Sequence, residues 1–188
     1  MDLPVLKHLF PAPILALTLC LVLGGMTLAK PLITSSEETA ARHCRAFDDT
    51  PERLVQSCVQ ALRDGAPTAA ERAVLLTLQG DALDMLDRVE EAEEAFQAAA
   101  EADPGHVRAH TGMGWLLWNN DREAEAVVHF RRAVDLRPTA DGLGGLGSSL
   151  YRSGQGSAEE SLALIDAALA IEPEYVWALR ERGWIALD

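Results

Sequence analysis

Three glycines in the segment GLGGLG, residues 142–147, have the spacing of a dinucleotide-binding motif. Gly142, Gly144 and Gly147 match Gly-x-Gly-x-x-Gly, in which the backbone approaches a pyrophosphate between a β-strand and a helix. Here the preceding residues, AVVHFRRAVDLRPTA, have the pattern of a helix end followed by a proline-bounded turn, and no strand is indicated. We therefore interpret these glycines as helix-packing residues, and the sequence predicts no cofactor.

Histidines and carboxylates offer metal binding or acid–base chemistry, but their spacing favours neither. His106 and His110 are four residues apart and share one helix face, yet no acid completes a His-Glu-x-x-His arrangement, which favours a packing role. The glutamates of residues 90–94 fall on a solvated helix face. No serine, cysteine or lysine stands in a recognisable nucleophile arrangement. The sequence predicts no catalytic and no metal site, so we do not expect an enzyme.

The acidic composition of the chain limits the classes of molecule that it is expected to bind. The chain has 188 residues, with 29 Asp plus Glu against 16 Lys plus Arg, and a formal net charge of −13 at pH 7. Such a surface repels nucleic-acid phosphates, so nucleic acid is not an expected partner. An acidic exterior permits a basic protein partner, although it is more commonly a solvated surface.

The N-terminal segment is typical of a secretory signal. Lys7 and His8 precede an apolar run over residues 14–23, and small residues follow up to Ala29. We therefore predict a signal peptide over residues 1–29, cleaved after Ala29. The expected location is periplasmic or secreted, with no membrane span after cleavage; the alternative is an uncleaved segment that anchors the chain in the inner membrane.

Two cysteines, Cys44 and Cys58, remain after the predicted cleavage. In an exported chain such a pair favours a disulfide, which would stabilise the fold by roughly 3 kcal/mol for a loop of this length. The alternative is two buried thiols. The surrounding residues predict a helical hairpin whose second helix begins after Thr50 and ends at Gly65.

A 34-residue repeat organises the chain from residue 68 onwards. Seven anchor positions recur with the same spacing: Leu76, Gly80, Leu83, Ala92, Phe96, Ala99 and Pro104, then His110, Gly114, Leu117, Ala126, Phe130, Ala133 and Pro138. This pattern resembles the tetratricopeptide repeat, W-x₂-L-G-x₂-Y followed by A-x₃-F and P. The resemblance implies an all-α fold, a right-handed α-solenoid of stacked antiparallel helix hairpins.

The domain organisation follows from these features. The predicted segments are a signal peptide at 1–29, a cysteine-bridged helical hairpin at 30–67 and a repeat array at 68–188, with repeats at about 73–106, 107–139 and 140–175 and a final helix at 176–188. A cysteine-bridged helix pair ahead of such repeats resembles exported repeat proteins of Gram-negative bacteria. Four capping boxes are predicted at helix starts: Ser35 with Glu38, Thr68 with Glu71, Asp87 with Glu90, and Ser157 with Glu160.

Mid-helix glycines and aromatic rings are expected to set the packing between repeats. Glycine inside a helix costs roughly 1 kcal/mol relative to alanine, so Gly80 and Gly114 make sense where a neighbouring helix approaches closely. Gly147 occupies the same position in the third copy. We expect Phe96 and Phe130 to fill the gaps between successive repeats.

In the family that the repeats resemble, the first helix of each hairpin lines a concave groove that holds peptide segments. The resemblance therefore implies a partner-binding face here, on residues one and four positions after the repeat glycines and on polar residues near the same face. The predicted residues are Asp81, Asp84, Arg108, Trp115, Trp118, Asn119, Tyr151, Arg152, Arg180 and Trp184. The alternative for Trp115 and Trp118 is packing between helices.

The expected function is a non-catalytic scaffold or chaperone-like adaptor of the bacterial cell envelope that binds a peptide of another protein. Two alternatives remain. The chain could be a structural component that self-assembles into a homo-oligomer through its apolar final helix, or the accessory repeat region of a larger envelope-assembly or cytochrome-maturation factor.

Overall fold

The structure, a computed structural model, describes residues 41–45, 50–65 and 68–187. Throughout these ranges the regular elements are α-helices, and the described residues belong to one compact unit. After helical residues 41–45 the helices are α1 (Pro51–Asp64), α2 (Ala69–Asp84), α3 (Val89–Ala102), α4 (Val107–Asn119), α5 (Glu123–Leu136), α6 (Ala140–Arg152), α7 (Ala158–Ile171) and α8 (Val176–Ile185). The all-α solenoid of helix hairpins expected from the sequence is confirmed.

The hairpins stack so that their first helices form an inner layer. Each of α2, α4 and α6 contacts the helix that follows it in the chain, and it also contacts the next first helix directly. Among the described residues, α3 does not contact α5, and α5 does not contact α7. Because successive first helices contact one another and successive second helices do not, the array curves around the first helices, and α2, α4, α6 and α8 build its inner face.

Phenylalanine rings separate successive first helices. Each ring is held between two glycines: Phe96 between Gly80 and Gly112, and Phe130 between Gly114 and Gly145. A Cβ atom on Gly145 would lie only 2.4 Å from the Phe130 ring. The expected packing role of Phe96, Phe130 and the repeat glycines is therefore confirmed, because no larger residue fits beside these rings without displacing them.

The GLGGLG segment lies entirely within α6, and no strand precedes it in the described part of the chain. Thr139 caps this helix by accepting a hydrogen bond from the Gly142 N–H at 3.1 Å. A Cβ on Gly147 would stand 2.8 Å from the backbone oxygen of Ser161 on α7. Close contact between helices thus accounts for these glycines.

The helix starts confirm two of the predicted caps and correct a third. Thr68 and Glu71 form a reciprocal capping box, and Ser157 accepts a hydrogen bond from the Glu160 N–H at 3.1 Å. Asp87 is not a cap, since α3 follows Arg88 at its N-cap position, without a side-chain cap bond. Asp87 instead has φ +58°, a left-handed turn conformation that aspartate tolerates better than most residues. The predicted box at residues 35–38 lies outside the described residues.

A disulfide joins Cys44, in helical residues 41–45, to Cys58 on α1, and both cysteines are fully buried. Thr50 occupies the N-cap position of α1 without a side-chain cap bond, and Gly65 occupies its C-cap position. The predicted disulfide and second hairpin helix are therefore present. The signal-peptide prediction for residues 1–29 lies outside the described residues. No helix in the described ranges is both long and apolar enough to span a membrane.

Candidate functional site

Three tryptophans meet on the inner face. Trp115 and Trp118 come from α4, and the Trp177 ring lies edge-on to both, with ring centroids 4.7 and 5.9 Å apart. Trp115 and Trp118 also pack edge-on to each other at 5.8 Å. Trp177 belongs to α8, so its ring reaches across α6 at Gly144, where a Cβ would lie 3.2 Å from the indole. We call these three residues the indole cluster; all are half-buried.

Polar neighbours hold the indole cluster in place. The Trp115 indole N–H donates a hydrogen bond to Asp141 Oδ1 at 2.8 Å, and the Trp118 N–H donates to Ser148 Oγ at 3.3 Å. The Tyr175 hydroxyl also donates to Asp141, at 3.3 Å. Burial, and then the negative charge of Asp141, raises the pKa of Tyr175, so the hydroxyl keeps its proton. Since these donors are satisfied within the chain, a ligand would meet the apolar parts of the rings.

A buried carboxylate ties α8 to this face. The Glu181 side chain is only 3% exposed and accepts a hydrogen bond from Ser148 Oγ at 2.8 Å. The Arg152 guanidinium donates to the same carboxylate at 3.3 Å, and Arg180 approaches its other oxygen at 3.6 Å. A buried carboxylate is tolerated only when such partners compensate for lost hydration. Glu181 therefore links α8 to α6 through hydrogen bonds to Ser148 and Arg152.

Arg152 is stacked between two aromatic rings. Its guanidinium carbon lies 5.0 Å from the Trp118 ring centroid and 4.6 Å from that of Trp184, both within the range of cation–π attraction. Trp184 in turn packs edge-on to Tyr151 at 5.4 Å. Two rings and Glu181 thus fix the cation on the inner face.

The opposite end of the face is acidic and carries its own ion pair. Arg108 on α4 bonds Asp81 on α2 at 2.7 Å, with the arginine side chain 63% exposed and the aspartate 18%. Burial raises the pKa of Asp81 despite this partner. Burial also raises the pKa of Asp84, and repulsion from Asp81 adds to the shift. Arg108 therefore stands at the acidic end of the face.

The structure brings most of the predicted binding residues into two contact groups. Trp115, Trp118, Tyr151, Arg152, Arg180 and Trp184 belong to the aromatic group, and Asp81, Asp84 and Arg108 to the acidic one. Asn119 is exposed at the C-terminal end of α4.

Sequence reasoning placed Ser148 on this face, directly after Gly147, but missed four of its residues: Asp141, Tyr175, Trp177 and Glu181. A signal existed for two of them, because Asp141 and Trp177 stand six residues before their repeat glycines, as Arg108 does. Extending that column would have identified both. For Glu181 no signal existed, because a glutamate on an exposed-looking helix gives no indication that it is buried.

Three histidines belong to the α4–α5 hairpin: His106 at the N-cap of α4, His110 on α4 and His129 on α5. The rings of His110 and His129 are 6.4 Å apart, and the Nε2 atoms of His106 and His110 are buried without a hydrogen-bond partner. Burial lowers the pKa of all three histidines. In the described ranges, no group of three or more His, Cys, Asp or Glu side chains is arranged to hold a metal ion.

Comparison with known sequences gives a family match for the repeats. The family model for the tetratricopeptide repeat matches residues 77–141. Protein O-mannosyl-transferase Tmtc2 of Drosophila melanogaster is 39% identical over 69 residues, which are 36% of this chain and 7% of that protein. The chain therefore matches only a small part of that transferase.

Solved structures share the fold at low identity. MamA from Desulfovibrio magneticus RS-1, solved from residue 41 to its end, superposes with a TM-score of 0.68 and 18% identity, over 82% of this chain and 86% of that solved chain. The first repeat domain of Spaghetti (RPAP3), bound to the HSP90 peptide SRMEEVD, gives a TM-score of 0.59 and 19% identity, over 65% of this chain and 97% of that domain. At this identity the likeness is one of fold.

Proposed function

Because the chain belongs to the tetratricopeptide-repeat family through its repeats at residues 77–141, we propose that it is a non-catalytic scaffold that binds a peptide segment of another protein on its inner face. One observation carries this proposal: Trp115, Trp118 and Trp177 converge on that face although they come from helices two hairpins apart. Tryptophan and arginine are the side chains that most often anchor protein interfaces.

The chemistry of the face suggests what the peptide contributes. An aliphatic or aromatic side chain would pack on the exposed parts of the indole cluster, whose N–H groups are already bonded. Arg108 and Arg180 keep their side chains 63% and 66% exposed, and they would attract a carboxylate on the same peptide. The repeat domain of RPAP3, which shares this fold, was solved with a bound peptide, and this supports the proposal by analogy.

The proposal is tested by removing two aromatic rings of the face together. A Trp118→Ala plus Tyr151→Ala variant should lose at least about tenfold in affinity for peptides selected on the native chain. The matched control is Val128→Ala, an exposed apolar residue on α5, away from the inner face. Circular dichroism and thermal melting verify the fold of each variant. Undiminished peptide binding by a folded double variant would reject the inner face as the site.

We further propose that the chain works in the periplasm or outside the cell. The Cys44–Cys58 bond supports this, because structural disulfides persist in oxidising compartments. Fractionation followed by N-terminal sequencing tests the location. The expected result is a soluble envelope protein that begins at Lys30. Recovery in the inner-membrane fraction with the N-terminal segment intact would instead support a membrane anchor.

A further inference from the structure

Asp141 carries a carboxylate on the inner face that is bonded only to neutral groups. The side chain is exposed in the first turn of α6. Its Oδ1 atom accepts a hydrogen bond from the Trp115 indole N–H at 2.8 Å and another from the Tyr175 hydroxyl at 3.3 Å. Among the described residues, no arginine forms an ion pair with Asp141. Because both bonds end on Oδ1, the Oδ2 atom is left to accept a bond from a ligand.

The neighbouring charges do not neutralise this carboxylate. Arg108, the cation at the acidic end of the face, is held by Asp81 at 2.7 Å. Burial raises the pKa of Asp81, and the charge of Asp141 adds to that rise, so these two carboxylates lie close enough to repel each other. Asp84 forms no ion pair within the described ranges. This end of the inner face therefore carries more carboxylates than cations.

Aromatic rings surround Asp141. Trp115 and Tyr175 contact it through their hydrogen bonds. The centroid of the Trp177 ring lies 4.7 Å from that of Trp115 and 5.9 Å from that of Tyr175. All three rings are half-buried, so part of each remains open to solvent. We call these three rings together with Asp141 the Asp141 subsite. A cation placed there would meet aromatic rings and a carboxylate at once, and both attract it.

The chain itself already uses this combination of groups at Arg152. The guanidinium carbon lies 5.0 Å from the Trp118 ring centroid and 4.6 Å from that of Trp184, and the same guanidinium donates to Glu181 at 3.3 Å. Two rings and a carboxylate thus hold an arginine at that place. The Asp141 subsite has the same components without the arginine, and because Asp141 is exposed, a cation can reach it from solvent.

We propose that the Asp141 subsite binds an arginine side chain of the partner peptide. This inference rests on the proposed function, which puts the peptide on the inner face. The guanidinium stacks on the exposed parts of the aromatic rings and donates a hydrogen bond to Asp141 Oδ2, while Trp118 remains for the apolar side chain of the peptide. Arginine suits the subsite better than lysine, because its planar, weakly hydrated guanidinium stacks on rings while it donates hydrogen bonds in its own plane.

The net charge of the chain supports a basic ligand. At −13, the chain attracts a positively charged peptide at long range and raises its rate of association. The ring contacts and the Asp141 carboxylate then select the arginine at short range. The two effects are separable, because only the second depends on this one aspartate.

A display library of random linear peptides, selected on the native full chain, supplies the probes. The selected peptides should be enriched in arginine beside an apolar residue. Replacing that arginine by citrulline, which has a similar shape without the charge, should weaken binding about tenfold in fluorescence anisotropy. Asp141→Asn keeps an acceptor for Trp115 and Tyr175 but removes the charge, so it should cost the arginine peptide about as much and the citrulline peptide little.

The matched control variant is Asp135→Asn, which makes the same charge change at an exposed aspartate on α5. It should leave the affinity of both peptides unchanged, and circular dichroism verifies the fold of each variant. Equal binding of the arginine and citrulline peptides by the native chain overturns the inference, whatever the fold of Asp141→Asn.

The remaining outcomes separate this inference from the proposed function. Peptides that bind Asp141→Asn as tightly as the native chain, but lose binding to the Trp118→Ala plus Tyr151→Ala variant, overturn the inference and leave the proposed function standing. Selection of no peptide that depends on the inner face overturns both. Dimerisation of the native chain in sedimentation velocity that Asp141→Asn abolishes also overturns the inference, because an arginine of a second copy would then fill the subsite.

Discussion

Ser148 on α6 donates a hydrogen bond to Glu181 on α8, with its Oγ 2.8 Å from the carboxylate oxygen, and both side chains are buried. The same serine oxygen accepts the indole N–H of Trp118 at 3.3 Å. These two hydrogen bonds therefore link α4 to α6 and α6 to α8. They fix the position of α8, and with it the Trp177 ring that completes the indole cluster. The proposed binding face and α8 therefore depend on each other for their positions.

Truncation of Glu181 should weaken the packing of α8 on α6. Glu181→Ala leaves the buried Ser148 hydroxyl without its acceptor and Arg152 without its carboxylate, so we expect the free energy of unfolding to fall by about 1–3 kcal/mol. Glu181→Gln keeps an acceptor and should cost less. Urea unfolding followed by tryptophan fluorescence measures both variants. An alanine variant as stable as the native chain would mean that Glu181 does not tie α8 to α6.

The glycines opposite Phe130 should not tolerate a methyl group. In Gly145→Ala the new Cβ would stand 2.4 Å from the Phe130 ring, so we expect a loss of about 1–3 kcal/mol through overpacking. Gly183→Ala is the matched control, because its Cβ enters open space. It should stabilise the chain by up to about 1 kcal/mol through helix propensity alone. Thermal or urea unfolding distinguishes the two, and equal effects would contradict the packing described here.

Loss of the disulfide should act on the N-terminal hairpin. Replacing Cys44 and Cys58 together with alanine removes the cross-link between residues 41–45 and α1, at a cost of about 2–4 kcal/mol in that part of the chain. Hydrogen exchange should rise in α1 and stay low in α4 to α6. Reduction of the native chain with dithiothreitol should give the same pattern. Uniform loosening of all the helices would contradict a local role.

Stability should fall on mild acidification because three histidines are kept neutral. Burial lowers the pKa of His106, His110 and His129 in the folded state below the ordinary value of 6.5. The unfolded chain therefore binds protons first, so the contribution of these groups is complete above about pH 6.5 and is lost as the pH falls towards their folded values. The midpoint of urea unfolding at pH 7.5 and at pH 5.5 measures the effect.

A variant of His129 is the control for this prediction, and the charges that act on each histidine are as follows. Asp103 and Arg108 act on His106, Arg132 and His106 act on His110, and Glu93, Arg122, Glu125 and His110 act on His129. His129→Gln removes one titrating ring, because a glutamine amide takes up no proton in this pH range. We expect a smaller drop in stability between the two pH values for this variant. An unchanged drop would mean that other groups cause the acid sensitivity.

The sequence alone determined the repeat and its close contacts. Small residues at fixed spacing indicated where helices must touch, and the aromatic anchors Phe96 and Phe130 indicated what fills the space beside Gly80 and Gly114. The Cys44–Cys58 disulfide could also be predicted, because these two cysteines remain after the predicted signal cleavage of an exported chain. These features are local or periodic, so spacing along the chain carries them.

Only the tertiary structure decided how the inner face is assembled. Trp177 meets Trp115 and Trp118, and Ser148 meets Glu181, across distances in sequence of 33 to 62 residues. Such contacts depend on the distance and angle between successive first helices. Phe130 and the glycines around it set this distance and angle together, so the sequence pattern at a single position does not reveal them. The burial of Glu181 and the exposure of Gly183 have the same origin, because a helix looks alike in sequence whether or not a neighbour packs on it.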